Sequence, residues 1–132
     1  MFSRTFVRLL VLATVAVNSA FATVYEAEDG VLSGTTIGST VAGFTGTGYV
    51  ESFDDAADSL TFTVTSATTG LYDLKLRYSA PYGAKYTSLT LNGGSGGQVS
   101  LPETTEWVDA DAGQVLLSAG TNTIALTTNW GW

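Results

Sequence analysis

The sequence predicts an all-β fold, a sandwich of two antiparallel sheets, and three observations carry that expectation. Short runs of alternating apolar and polar residues recur at intervals of roughly ten residues. Glycine-rich turns punctuate them, and no stretch of the chain keeps helical periodicity over a useful length. Many short strands of this spacing bury their apolar faces by packing one sheet on another.

The elements follow in order. Ser59 to Thr65 reads SLTFTVT, which puts Leu60, Phe62 and Val64 on one face of a strand and hydroxyls on the other. Leu71 to Tyr78 alternates Tyr72, Leu74, Leu76 and Tyr78 with Asp73, Lys75 and Arg77, the clearest half-buried strand in the chain. Further strands are predicted over Tyr49 to Phe53, Thr87 to Asn92, Gln98 to Leu101, Gln114 to Ser118 and Thr123 to Thr128. Turn formers such as Asn92-Gly93-Gly94 and Ala119-Gly120-Thr121-Asn122 lie between them. The run Asn92 to Gly97, NGGSGG, reads as a hairpin loop, because strand-like runs adjoin it on both sides.

Ahead of these elements, residues 1–22 have the pattern of a secretory leader: Arg4 and Arg8, an apolar run from Leu9 to Val17, then Ala20-Phe21-Ala22 as a cleavage signal. Secretion and an extracellular location follow as expectations, with a mature chain from Thr23. The apolar run is shorter than the ~20 residues needed to span a bilayer, so no membrane helix is expected. Residues 23–132 suffice for one domain. They carry three basic residues, Lys75, Arg77 and Lys85, against twelve carboxylates, a formal charge of −9 that disfavours a nucleic-acid partner. The chain has no His and no Cys, which excludes a Ser-His-Asp triad, a thiol nucleophile and zinc held by those residues.

Two features carry chemistry. Glu26 and Glu28 lie two apart in VYEAEDG, so on a strand both carboxylates would leave one face, with Cα atoms about 7 Å apart. They can be two solvated glutamates, or a calcium site completed by oxygens from the glycine-bearing turn Phe44 to Tyr49. Asp54, Asp55 and Asp58 in FDDAAD read most simply as a solvated acidic loop.

YEAED, GTGYVESFD, GLYDLKLRYSAPYG, LPETTEW, AGTNTI and the closing NWGW, in this order and spacing from about Val24 to the last residue, resemble carbohydrate-binding module family 35. The likeness is strongest to the modules of fungal endo-β-1,4-mannanases of glycoside hydrolase family 26. That resemblance implies a jelly roll with a structural calcium ion held by Glu26, Glu28 and the carbonyls of Thr45 and Gly48. It also implies a further aspartate on a final strand that pairs with the first, for which this chain has no counterpart. NWGW then reads as the lead-in to that strand, and the sandwich is expected to lack it, with one sheet edge left unpaired. Trp132 is expected in the core.

Sugar recognition uses flat aromatic faces against pyranose C–H faces, with a few polar groups around them. The resemblance points to Tyr49 and Trp107, the loop SAPYGAK offers Tyr82 and Lys85, and the terminus offers Asn129 and Trp130. The expected function is non-catalytic binding of a plant cell-wall polysaccharide, most simply β-mannan, by a monomeric module attached to a mannanase. Two other classes stay open: a small glycosidase using Asp55 and Asp58 as acid and base, and a cell-wall interaction protein without specific glycan recognition.

Overall fold

The structure is a computed structural model and describes residues 6–13 and 23–130. Eleven strands and one short 3-10 turn make up the described residues: β1 (Phe6–Ala13), β2 (Thr23–Tyr25), the 3-10 turn (Ala27–Asp29), β3 (Val31–Ser33), β4 (Thr36–Gly38), β5 (Tyr49–Glu51), β6 (Ser59–Ser66), β7 (Gly70–Ser79), β8 (Lys85–Leu91), β9 (Gly94–Leu101), β10 (Val108–Leu117) and β11 (Gly120–Trp130). They form two antiparallel sheets. One runs β10-β7-β1-β5-β4, with β2 also paired to β1; the other runs β3-β6-β11-β8-β9. The all-β sandwich expected from the alternating pattern is the fold observed.

Period-two alternation explains why these sheets pack. On β7, Tyr72, Leu74, Leu76 and Tyr78 are buried, and on β6 so are Leu60, Phe62 and Val64. Ile124 and Leu126 of β11, Leu89 of β8 and Val115 and Leu117 of β10 complete one continuous core. Burying a side chain of this kind contributes about 1.5–3 kcal/mol, which lets a domain without disulfides hold together.

Polar groups at the edges of this core are tied off. Asn122 is buried between the ends of β10 and β11, where its amide donates to the carbonyls of Ser118 and Gly120 and its oxygen accepts from the Ser118 N–H. The Tyr72 hydroxyl bonds Ser66 and Thr68, and these hydrogen bonds hold its pKa below the usual tyrosine value. Tyr78 donates to the Pro102 carbonyl at 2.9 Å, and burial pushes its pKa up.

Three expectations change. Glu26 and Glu28 do not share a strand, because β2 ends at Tyr25 and residues 27–29 turn as a 3-10 helix entered through Glu26. The NGGSGG run is not all loop: the turn is Asn92-Gly93, and β9 starts at Gly94 with a register shift opposite Leu89 and Thr90. Glycines without Cβ can extend as a strand as well as turn, so composition alone did not separate the two.

The third concerns the sheet position beside β2, where the resemblance puts a final strand. β1 fills it, pairing with β7 from Phe6↔Ser79 to Ala13↔Tyr72, with β5 at Val7↔Val50, and with β2 from Leu9↔Tyr25 to Val11↔Thr23. Part of the stretch expected to be a leader is therefore a strand here, and the edge expected to be open is paired. The expected cleavage site, Ala20 to Ala22, and the expected core residue Trp132 lie outside the described residues.

Candidate glycan and cation sites

β7 ends at Ser79 and β10 starts at Val108, so the loops 80–84 and 102–107 gather at one end of the sandwich. The Ala80 N–H donates to Thr104 Oγ1 at 2.9 Å and the Thr104 N–H to the Ala80 carbonyl at 3.1 Å, which fixes the two loops together. Trp107 leaves this junction and lies over the segment 40–44. Its Nε1 donates to the Ala42 carbonyl at 3.0 Å. A Cβ on Gly43 would come within 2.7 Å of Trp107 Cδ1, and Gly43 has φ +101°, so both the close approach and the backbone shape require glycine. Beside the ring is an open cleft of about 330 Å3, lined by Val41 to Gly43, Arg77, Ser79 and Thr105 to Trp107.

Tyr49 supports this ring and does not present its own. It is 2% exposed, tilted against Trp107 with ring centroids 5.6 Å apart and edge-on to Phe44. Its hydroxyl accepts from the N–H groups of Thr40 and Val41 at 3.2 and 3.3 Å. The expectation that Tyr49 offers a face to sugar does not match this burial: a strand-start aromatic on the inward face packs. Lys85 departs in the same way. It is 2% exposed at the start of β8, its Nζ sits 3.5 Å from the Tyr82 carbonyl, and burial lowers its pKa while nearby Glu103 works against the shift. Tyr82 is an exposed loop aromatic, 58% accessible, as expected.

Asn129 and Trp130 lie elsewhere, on the other sheet. Thr128 pairs with Thr87, but Trp130, not Asn129, pairs with Tyr86. Asn129 is thus a bulge residue, and the bulge turns Trp130 to the outer face, 62% exposed, where its ring meets that of Tyr86 edge-on at 5.8 Å. Asn129 Nδ2 donates to Ser88 Oγ at 2.8 Å on the same face. Tyr86 was missed in the sequence because its neighbours Thr87 and Ser88 gave no hint of an aromatic partner 44 residues on.

The two early glutamates converge in spite of leaving a turn. Glu28 Oε1 accepts from the Thr47 N–H at 2.7 Å and the Gly48 N–H at 3.2 Å, and Thr45 Oγ1 donates to Glu26 Oε1 at 3.4 Å. Gly46 lies between them: a Cβ there would be 2.2 Å from Glu28 Oε1 and 3.0 Å from Glu26 Oε2. The loop and both carboxylates therefore meet at a point only a glycine can pass. In this arrangement the loop meets the glutamates through hydroxyl and N–H donors.

Among the described residues, Asp54, Asp55 and Asp58 have carboxylate oxygens within 4.8 Å of one another. The loop is not simply solvated. Asp58 is 5% exposed, and its Oδ2 accepts from the N–H groups of Asp54 and Asp55 at 2.9 and 2.7 Å. Its carboxylate closes the turn on itself, which is a structural use of an acidic side chain.

Comparison with known proteins decides what carries this geometry. The model of the family described as carbohydrate binding module (family 35) matches residues 23–132. The chain belongs to carbohydrate-binding module family 35. A mannan endo-1,4-beta-mannosidase of Thermothelomyces thermophilus is 53% identical over 120 residues, which cover 91% of this chain and 25% of that enzyme. The crystal structure of the Podospora anserina β-(1,4)-mannanase that joins a family 26 hydrolase to a family 35 module superimposes with TM-score 0.78 at 51% identity. It covers 82% of this chain and 24% of that one. A Listeria monocytogenes protein solved with glucose, magnesium and calcium aligns with TM-score 0.75 at 32% identity, over 80% of this chain and 10% of that one. The family 35 chain thus spans a quarter or less of these relatives.

Proposed function

We propose that this family 35 module binds a neutral β-1,4-linked mannan without turning it over, and that Trp107 supplies the ring on which a sugar stacks. The observation that carries the reading is the Trp107 cleft. An indole pinned by Ala42 and backed by Tyr49 stands beside an open space of mixed apolar and polar lining, the combination that pyranose rings need. Arg77, Ser79 and Glu106 around it can hydrogen-bond sugar hydroxyls, with Tyr82 in a neighbouring loop. Mannan as the ligand is supported by the mannanase relatives at 53% and 51% identity. Attached to such an enzyme, the module would raise the enzyme's effective concentration at insoluble substrate. The protein would reach that substrate by secretion and act as a monomer.

Calcium is the proposed structural ion, with Glu26 and Glu28 as carboxylate ligands and the carbonyls of Thr45 and Gly48 as further oxygens. The donor set is hard and oxygen-only, which suits Ca2+. Bound there, the ion would supply positive charge between two like-charged side chains and clamp the loop 44–48 that leads into Tyr49. The glycine-dependent meeting of both glutamates at Gly46 supports this, as does the calcium in the Listeria structure.

Calorimetric titration with β-1,4-mannohexaose, and retention on insoluble mannan, test the reading. Binding lost in Trp107→Ala is expected. Release of reducing ends from mannan by the purified chain would overturn the non-catalytic assignment, and so revive Asp55 and Asp58 as acid and base.

A further inference from the structure

Of the asparagines Asn18, Asn92, Asn122 and Asn129, Asn92 alone precedes a glycine. Asn92 and Gly93 are the two turn residues between β8 and β9, with φ +47° and +81°. A two-residue hairpin turn of this hand puts both central residues in the left-handed region, which Asn-Gly enters at least cost. The same dipeptide is the one in this chain most open to reaction with itself. Asparagine is chemically labile, and a following glycine has no side chain to shield its backbone nitrogen from the carboxamide carbon. Both residues are exposed, so water reaches them.

The fold holds that carboxamide elsewhere. β8 pairs with β11 as far as Leu91↔Ile124. One residue on, the Asn92 N–H donates to the Thr123 carbonyl at 2.9 Å, and Asn92 Oδ1 accepts from the Thr123 N–H at 2.8 Å. Asn92 Nδ2 donates to Asn122 Oδ1 at 2.9 Å. Asn122 is 1% exposed and is itself fixed by the Ser118 N–H and the carbonyls of Ser118 and Gly120. Both ends of the Asn92 carboxamide are thus bonded to β11, and both bonds must break before its carbon can swing onto the Gly93 nitrogen.

We infer that Asn92 is a site of spontaneous deamidation, closed in the folded chain by Asn122 and Thr123 and exposed to reaction when the β8–β9 turn parts from β11. In the open state the Gly93 nitrogen attacks Asn92 Cγ. The new C–N bond closes a succinimide ring as the Cγ–Nδ2 bond breaks, and the Gly93 proton leaves with Nδ2 as ammonia. Water then adds to either ring carbonyl and breaks its bond to the ring nitrogen, which leaves aspartate or isoaspartate. Carboxamide and water have become carboxylic acid and ammonia, with nothing oxidised or reduced.

Neither product can restore the lock. Aspartate lacks the Nδ2 donor and sets a carboxylate oxygen against Asn122 Oδ1, and isoaspartate adds a methylene to the main chain of a turn whose flanking register is Leu91↔Gly94. The lengths of β8 and β10 separate this turn from the loops 80–84 and 102–107, so the reaction costs stability and touches no group of the Trp107 cleft. The inference is independent of the glycan-binding reading.

Peptide mapping by mass spectrometry, on the full chain held in mildly alkaline buffer with and without unfolding urea, reads carboxamide loss at each asparagine. Loss at Asn92 at least tenfold faster in urea than in the folded chain is the result expected. Equal rates in the two states overturn the lock. Loss at Asn92 in urea no faster than at Asn129, whose neighbour is bulky, overturns the site. In native buffer Asn122→Ala should speed loss at Asn92 at least tenfold, and an unchanged rate in that variant removes Asn122 from the account. The urea comparison uses the parent chain, so it decides the matter even where the alanine variant misfolds. Asn92→Asp, which carries one product directly, should unfold at lower urea, and an unaltered midpoint would overturn the cost assigned to the reaction.

Discussion

The indole of Trp107 donates to the carbonyl of Ala42 across 65 residues of sequence, and that bond sets the ring at the rim of the cleft. The partner segment can come so close only because residue 43 is glycine at positive φ. Trp107→Ala is expected to lower mannohexaose affinity at least tenfold, about 1.4 kcal/mol, by calorimetry. Gly43→Ala, whose Cβ would lie 2.7 Å from Trp107 Cδ1, should lower it while keeping the indole, through displacement of the ring, and the Trp107 fluorescence maximum should shift with it.

The cation proposal makes a separate prediction. If calcium joins Glu26 and Glu28 to the loop, saturating it at about 100 times the dissociation constant stabilises the fold by about 2.7 kcal/mol. A chelator should therefore lower the thermal midpoint. Gly46→Ala, whose Cβ would lie 2.2 Å from Glu28 Oε1, should abolish the chelator's effect. An unaltered midpoint on chelation of a calcium-loaded sample would rule the ion out.

Burial of Lys85 predicts a pH signature. Its folded-state pKa lies below its ordinary value of 10.5 because the ammonium is desolvated. The unfolded chain then binds more protons between the two pKa values, so this group's penalty on stability is full at low pH and fades as pH rises toward 10.5. Lys85→Met should be more stable than the parent at neutral pH, and the gap should narrow with alkaline pH. Tyr78, whose pKa is raised, contributes with the opposite sign from its ordinary value of 10.0 upward. The difference between variant and parent, measured by urea unfolding across pH, isolates the lysine.

A chain beginning at Thr23 removes β1 and with it the pairing of eight β7 positions from Tyr72 to Ser79. The unpaired backbone N–H and C=O groups left on β7 and β5 favour association. The truncated chain should unfold at lower urea and sediment as oligomers, unless a strand supplied from elsewhere takes the slot. Mass spectrometry of the protein recovered from cells and medium of an expressing host decides between the two readings of this stretch, since leader removal would place Thr23 at the amino terminus.

How much of this was legible beforehand depends on how local the cause is. β6 and β7 were readable to within a residue or so at each end, because alternation is a property of the strand itself. Tyr82 was readable as exposed, since a loop aromatic after proline has little to pack against. Lys85 was not: the pattern K-Y-T-S-L reads either way, and only the facing strand and the loop 102–107 decide that the lysine lies inward. Tyr49 failed for the same reason, its surroundings arriving from residues 40–44 and 107.

An all-β sandwich, its main strands, the absence of thiol and histidine chemistry, and membership of carbohydrate-binding module family 35 were all readable along the chain. Those follow from composition, period and motif order, each of which is written along the chain. Three features needed the folded chain: one inserted residue, Asn129, turns Trp130 outward to Tyr86, Glu26 and Glu28 converge through a turn on Gly46, and the strands of one sheet show solvent no charge. Side-chain direction depends on strand register, and register is set by contacts between residues far apart in sequence.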